Sequence, residues 1–418
     1  MIASENFDHK NIGKKLGFYF TDKLVGGNIP IIGEKGALVI KILQRYIEDE
    51  ELKRGLSLVQ SPIFSRTEIM EKSGHLSHYN DIIFKVEIFK DSYFILKPVT
   101  CPFHFIYFKQ SIRSYDELPI GYFETATLFR KTKKGEQDGL FRTQSFTIGD
   151  SHIFCRKDQI HSELIKSLEY IINVSNKLGI LNDISFVFSS GNSKTNLLGT
   201  EMEWIEARNF LLNSLLKKEI RYVENEKAAA FYGPKIDVFF TNHSGRKTAI
   251  FTIQLDFQLA KQFDLTYINH LGEKEYPIII HRSSMSCYER MLGVLLEKNM
   301  GELPFWLAPL QIKIFVLNDI AIEYSNSIKN KLTEYGFRVK SVIVDSNKLS
   351  SKIRKEITEK TPFIVVIGEK ERHENKLTVR FYKDSQIYNI DFDIFFNKLK
   401  YLSESKQTIY DLNNWNFN

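Results

Sequence analysis

The hydrophobic pattern of this chain changes character once, at Gly301-Glu-Leu-Pro-Phe-Trp-Leu-Ala-Pro309, and that change limits the architectures open to it. Beyond the junction, apolar runs at 312–317, 339–344 and 363–368 alternate with segments of helical period near 320–335 and 349–360. Such alternation is the mark of a parallel sheet with crossover helices. Before the junction, β-like runs dominate, at 57–64, 93–96, 121–128, 142–147, 152–155, 183–189, 235–241 and 248–257. Helical periods flank them over 33–51, 158–179 and 287–298. The Gly-bounded charged stretch 131–139 reads as a hairpin loop. Proline-bearing segments punctuate domains, so the expected division is a larger domain over 1–308 and a smaller α/β domain over 309–418.

A length of 418 residues and an apolar content of 43% supply more than one core, and 33 Phe with 19 Tyr exclude wholesale disorder. Lys and Arg number 57 against 51 Asp and Glu, a net charge of +6, which suits a polyanionic partner without requiring one. The three cysteines, Cys101, Cys155 and Cys287, are too few and too dispersed for a secreted disulfide framework. No basic region with an apolar stretch opens the chain, and no run of 18 apolar residues occurs, so neither a signal peptide nor a membrane span is expected.

Cys101 and His104 form a C-x-x-H, His152 follows Gly149-Asp-Ser, and His281 ends the apolar run from Tyr276. One thiolate and two imidazoles suit a zinc that keeps a fourth position open, with His104 the default further ligand, although scattered Cys and His are more often core or surface residues. Arg130, Arg142 and Arg290 would suit a nucleoside triphosphate if they converged, because the guanidinium fork matches phosphate oxygens. Neither phosphate-loop signature is present, which disfavours P-loop and Rossmann nucleotide binding. The segments 231–237 and 252–257 read by themselves as half-buried antiparallel strands.

Taken in order, several segments resemble the threonyl-tRNA synthetases, a family of class II aminoacyl-tRNA synthetases. The likeness runs from about Phe7 to Leu402. It includes Phe7-Asp-His-Lys-Asn-Ile-Gly-Lys-Lys-Leu, Ser61-Pro-Ile at the end of motif 1, Lys72-Ser-Gly-His-Leu-Ser-His-Tyr and Lys97-Pro-Val-Thr-Cys-Pro-Phe-His. Motif 2 runs from Leu128-Phe-Arg through Gly139-Leu-Phe-Arg to Gly149-Asp-Ser-His-Ile-Phe-Cys; Ala230-Phe-Tyr-Gly-Pro-Lys-Ile-Asp and Thr252-Ile-Gln-Leu-Asp-Phe follow. Motif 3 is His281-Arg-Ser-Ser-Met-Ser-Cys-Tyr-Glu-Arg290.

The resemblance implies an α+β fold, a class II antiparallel sheet flanked by helices and followed by a smaller α/β anticodon-binding domain. It implies ATP-dependent activation of threonine and transfer to tRNA(Thr), in a cytoplasmic homodimer with no membrane association, whose interface is built on motif 1. Cys101, His152 and His281 become the zinc ligands, Asp150 the acceptor of threonine's hydroxyl, Tyr232 a pocket wall and Gln254 a contact near the ribose. Arg130 goes to the α-phosphate, Arg142 and Arg290 to the distal phosphates, and Phe146 to adenine, with Mg²⁺ as helper. Glu371 and Arg380 fall where the family reads anticodon bases. Because the sequence starts almost directly at the catalytic part, no amino-terminal editing module is expected, and Ser-tRNA should form.

Departures from the family pattern are concentrated around the ligand. Thr132 replaces a glutamate, Ile148 and Ala249 replace glutamines, the usual Asn-Cys-Pro-Gly-His reads Thr100-Cys-Pro-Phe-His, and motif 3 carries Ser286-Cys287. They leave two other readings open: a paralogue charging another acceptor, and a non-catalytic tRNA-binding relative.

Overall fold

The computed structural model describes residues 8–90, 92–133, 135–136, 138–191, 198–382 and 387–406. Phe7, Lys134 and Gln137, which belong to segments singled out above, lie outside the described residues.

An eight-stranded sheet organises the larger part. Its strand order is Tyr222–Asn225, Ile184–Ser189, Lys235–Thr241, Lys247–Asp256, Ile278–Met285, Ser145–Cys155, Ile120–Phe129 and Ser57–Leu58. All pairings are antiparallel except the outermost at each edge. Side chains alternate between faces along each strand, so each strand feeds two cores. Ile153, Cys155, Ile253 and Ile280 pack against the long helices Glu34–Lys53, Ile160–Lys177, Glu201–Lys217 and Tyr288–Lys298. Phe154 and Ile279 face the other way, onto Cys101–Phe108 and Leu259–Phe263.

Two differences from the sequence reading concern the site. The runs 142–147 and 152–155 are not separate strands but parts of one, Ser145–Cys155, paired on both sides. Gly149-Asp-Ser is held extended by its two neighbours, and glycine suits position 149 because a Cβ there would meet the Met285 nitrogen at 3.0 Å. Continuity puts Phe146, Ile148, Asp150 and His152 on one face. The helix Glu201–Lys217, not foreseen, opens with a reciprocal cap: Thr200 Oγ1 accepts from the Glu203 N–H while the Glu203 carboxylate accepts from the Thr200 N–H.

The smaller sheet runs Val339–Ile343, Ile312–Val316, Phe363–Ile367, Lys376–Phe381, Ile387–Asp391. The three strands expected from the alternation are parallel, as expected; the last two, which the sequence reading did not include, are antiparallel. A parallel crossover needs about a dozen residues. The connection from Ile367 to Lys376 holds only the six-residue helix Glu369–Glu374, closed by Asn375 at φ 52°, so the chain must turn back beside the strand it left. Helices Ile322–Glu334 and Phe392–Ser405 cover one face and Leu349–Thr358 the other. The Gly301–Pro309 junction is buried between the two parts: Trp306 and Leu307 enter the larger core, Phe305 the smaller. Among the described residues, no helix is long and apolar enough to cross a membrane.

Candidate functional site

Strand register assembles the site. His281 lies directly opposite His152 on one neighbour and Gln254 on the other, and His152 lies opposite Tyr122. One row across four strands therefore carries Gln254, His281, His152 and Tyr122. Cys101 reaches the same place from the first turn of its helix, and its donor atom and those of His152 and His281 all lie within 4.8 Å of one another. All three residues are buried.

Two features fit this triangle to a metal. The Nε2 of His152 is buried with no hydrogen-bond partner, which a structural histidine avoids. Both rings are oriented from behind. His281 Nε2 sits 2.9 Å from Asp256 Oδ2, and His152 Nδ1 sits 2.9 Å from His104 Nδ1. His104 is thus the support of a donor rather than a fourth one. Its far nitrogen is 3.5 Å from Glu124 Oε2, and Glu124 is gripped by Lys97 Nζ, the Ser61 N–H and the Ser61 hydroxyl. Carboxylate–imidazole relays of this kind fix ring orientation at zinc sites. Burial pushes the Cys101 thiol well above its usual range and His152 well below its own. An ionised thiol here needs a counter-charge, which a divalent cation supplies.

The space beside the triangle is a cavity of about 280 Å³ lined by His75, Tyr79, Arg130, Tyr232, Lys235 and Gln254. Tyr232 stacks on His281 at 4.8 Å and donates its hydroxyl to Gln254 Oε1. Gly233 makes that placement possible, since a Cβ there would lie 1.9 Å from the Leu255 carbonyl oxygen. Asp150, partly buried, accepts the Thr100 hydroxyl on Oδ2, and burial raises its carboxyl.

Arg130 donates from Nε to the Pro98 carbonyl and lies 5.5 Å over the Phe146 ring. Arg290 is braced by the Phe141 and Ala249 carbonyls. Burial lowers Arg130, the Asp150 carboxylate opposes that, and the like charge of Arg290 adds to it, so the two guanidiniums feel each other. Arg142 does not join them; it is exposed and paired with Glu136 at 2.9 Å. At the departures from the family pattern, Ile148 packs with Ala126, Leu128 and Cys287, and Thr132 Oγ1 accepts from Asn28 Nδ2.

Residues 84–299 match the family model for the tRNA synthetase class II core domain (G, H, P, S and T), and residues 308–402 match the model for the anticodon binding domain. A solved structure, the RNA binding domain of threonyl-tRNA synthetase from Cryptosporidium parvum, superposes with a TM-score of 0.88 at 31% identity, covering 97% of this chain and 100% of that one. The chain belongs to the threonyl-tRNA synthetase family. Threonine–tRNA ligases from Clostridium perfringens and Oceanobacillus iheyensis are 40% and 36% identical over 91% and 96% of this chain, covering 59% and 62% of theirs. The chain thus spans about three fifths of the length of these curated relatives.

In the anticodon-binding part of this synthetase-family chain, Thr378 and Arg380 share one sheet face, with Glu371 beside them. The Glu371 carboxylate is engaged twice, by the Gly368 N–H at 2.8 Å and the Thr378 hydroxyl at 2.7 Å. Arg380 Nε is buried without a partner.

Sequence reasoning assigned no role to Thr100, His75, Glu124 or Asp256. Each lies in or beside a quoted segment, but the signal for each is a contact across strands or between helix and sheet. His75 is the extreme case. It sits 3.8 Å from Cys101 Sγ, rings of Phe231 and Tyr232 surround it, and burial first, then the charge of His281, lowers it to about 3.

Proposed function

We propose that this chain activates threonine with ATP, taken with its Mg²⁺, and transfers it to tRNA(Thr), the division between the catalytic and RNA-binding parts falling at 308/309. The observation that carries the reading is the buried triangle of Cys101, His152 and His281, with one imidazole nitrogen unpaired, opening beside Asp150 onto the cavity of Arg130 and Gln254.

In this reading Cys101, His152 and His281 hold zinc, which supplies a coordination position that a side-chain hydroxyl fills and valine's methyl cannot. Asp150 accepts a hydrogen bond from the threonine hydroxyl, and Tyr232 closes the pocket wall. Phe146 carries the adenine, Gln254 meets the ribose region, and Arg130 draws the amino-acid carboxylate and the α-phosphate together. The carboxylate attacks the α-phosphorus in line and pyrophosphate leaves. The protein orients two anions and neutralises developing charge, the task of Arg130 and Arg290. Arg142 reaches the distal phosphates by leaving Glu136, at small cost because exposed ion pairs contribute about 0–1 kcal/mol. A terminal ribose hydroxyl of the tRNA then takes the aminoacyl group and AMP leaves. Arg380, with its unpaired buried Nε, and Glu371 read the anticodon.

The active form is a homodimer. The three-stranded sheet Phe64–Arg66, Ser92–Leu96 and Lys85–Phe89 leaves Phe64, Val86, Ile88 and Phe89 exposed, an apolar surface that a second copy would cover.

Amino-acid-dependent ATP–pyrophosphate exchange with threonine, serine and valine tests the reading, repeated after zinc removal and with Arg130→Ala. Threonine-dependent exchange lost in both controls is the expected result. No exchange with any amino acid, in folded and zinc-loaded protein, overturns it in favour of a tRNA-binding relative, the reading that Thr132 and the outward Arg142 favour.

A further inference from the structure

We propose that Thr100 is a positioning residue that holds Asp150 beside the metal-ligand triangle and keeps it from becoming part of it. Thr100 is the N-cap of the helix Cys101–Phe108, where a threonine hydroxyl ordinarily accepts a hydrogen bond from an N–H of the first turn. Here it makes no such bond. It donates instead to Asp150 Oδ2, on a strand of the facing sheet. Thr100 is fully buried, so the hydroxyl has no water to turn to, and the side chain is committed to that carboxylate.

The geometry gives the commitment a purpose. Asp150 Oδ2 lies 4.0 Å from His152 Nε2, the nitrogen left without a partner in the triangle. A carboxylate this close to a Cys/His/His donor set is itself a competent ligand for the same cation. Rotation of Asp150 by one rotamer step would take the position that an amino-acid substrate needs. The Thr100 donor occupies Oδ2 and leaves Oδ1 as the free acceptor. The Thr100 carbonyl accepts from the N–H groups of Phe103 and His104, so the helix end that presents Cys101 also presents the group that holds Asp150. The thiol donor and the restrained carboxylate are set by two adjacent residues.

The inference rests on the proposed recognition of threonine, and its test separates the two. Full-length protein carrying Co²⁺ in place of zinc is compared with Thr100→Val and Thr100→Ser by visible absorption without amino acid, by calorimetric threonine binding, and by KM for threonine and for ATP. Thr100→Val is expected to keep a full equivalent of metal, to change the Co²⁺ spectrum in the absence of amino acid, and to weaken threonine binding about tenfold or more, as loss of a charge-assisted hydrogen bond implies. KM for ATP should stay unchanged and Thr100→Ser should restore all three. A Thr100→Val protein with the parent spectrum and unchanged threonine affinity overturns the proposal, as does a parallel loss of metal and rise of both KM values. Should Thr100→Val not fold, Thr100→Ala takes its place: paired with Asp150→Asn, which removes the competing ligand, independent and additive effects on threonine binding also overturn the proposal. If the parent protein binds no threonine, the functional reading fails, and the spectrum alone still judges Thr100.

Discussion

Among the described residues, two clusters in the larger part have the makings of a metal site, and only one keeps an imidazole nitrogen without a partner. Asp8, His9 and Glu297 bring their ligand atoms as close together as Cys101, His152 and His281 do. His9, however, has both ring nitrogens in use: Nδ1 is 2.7 Å from Glu297 Oε1, and Nε2 accepts the Leu140 N–H at 3.1 Å. Glu297 is satisfied in turn, accepting from the His9 N–H and from Asn242 Nδ2. His152 has an imidazole nitrogen that nothing in the protein meets. Proximity of donors does not distinguish a strut from a ligand. An unsatisfied buried nitrogen within the donor cluster itself does, because leaving one without a partner costs about 1–3 kcal/mol; His104 Nε2 is also unbonded, but it faces the Glu124 carboxylate at 3.5 Å rather than the other donors.

The sharpest way to break this comparison is to remove one imidazole from each cluster. His152→Ala should lose its zinc and its threonine-dependent exchange to background, read by metal analysis and exchange assay. His9→Ala should retain a full equivalent of zinc. Loss of zinc in both would make the distinction between them meaningless. The next effect concerns the supports. Asp256→Asn should weaken zinc affinity by about 10–100-fold, the usual cost of losing a carboxylate behind a histidine ligand, measured by competition with a chelator. Glu124→Gln, one imidazole further back, should cost less.

These contrasts explain what could be seen in the residues alone. Cys101, His152 and His281 are 51 and 129 residues apart in turn; their residue types suited a zinc, but scattered Cys and His gave that reading little weight until the ordered family motifs raised it. Once the strands pair, His152 and His281 are opposite neighbours and the site is local. The β-rich part and the later alternation were legible because each has a periodic signature. The antiparallel return at Lys376 was not, since it depends on the length of one connection rather than on any pattern. The runs 142–147 and 152–155 were read as separate because the polar Gly149-Asp-Ser interrupts the apolar pattern between them, whereas pairing on both sides carries one strand through. Glu124 and Asp256 were invisible for the same reason as the unpaired nitrogen: a hydrogen-bond partner is a tertiary fact.

The third effect is on stability. His9→Ala and Glu297→Gln should each cost about 1–3 kcal/mol, because each strands a buried partner: the Leu140 N–H in the first case, the His9 ring in the second. Denaturant melts check this, and zinc content should not change. The helix His9–Lys15 packs on Tyr288–Lys298, which carries Arg290, so a loss of activity would point to displaced packing rather than to metal.

The smallest effect is the pH dependence of stability, and its sign follows from which state binds the proton. His75 is held at about 3 when folded, by burial first and the charge of His281 second, against about 6.5 in the unfolded chain. Below pH ~6.5 the unfolded state takes up a proton that the folded state refuses, so this contribution is complete above that pH and declines on acidification toward 3. Glu124 has the same direction at lower pH. Burial raises its carboxyl, but hydrogen bonds from His104 and Ser61 and the charge of Lys97 outweigh that and hold it at about 2, so its contribution is lost as pH falls from about 4.5. Each group adds at most about 1.4 kcal/mol per pH unit within its window. Denaturant melts from pH 7.5 to 5 should therefore show falling stability, beginning near 6.5, with a gentler slope in His75→Gln. A slope unchanged by that substitution would mean that the imidazole beside Cys101 takes up its proton as readily folded as unfolded, and is not the sealed neighbour of the ligand triangle that its contacts describe.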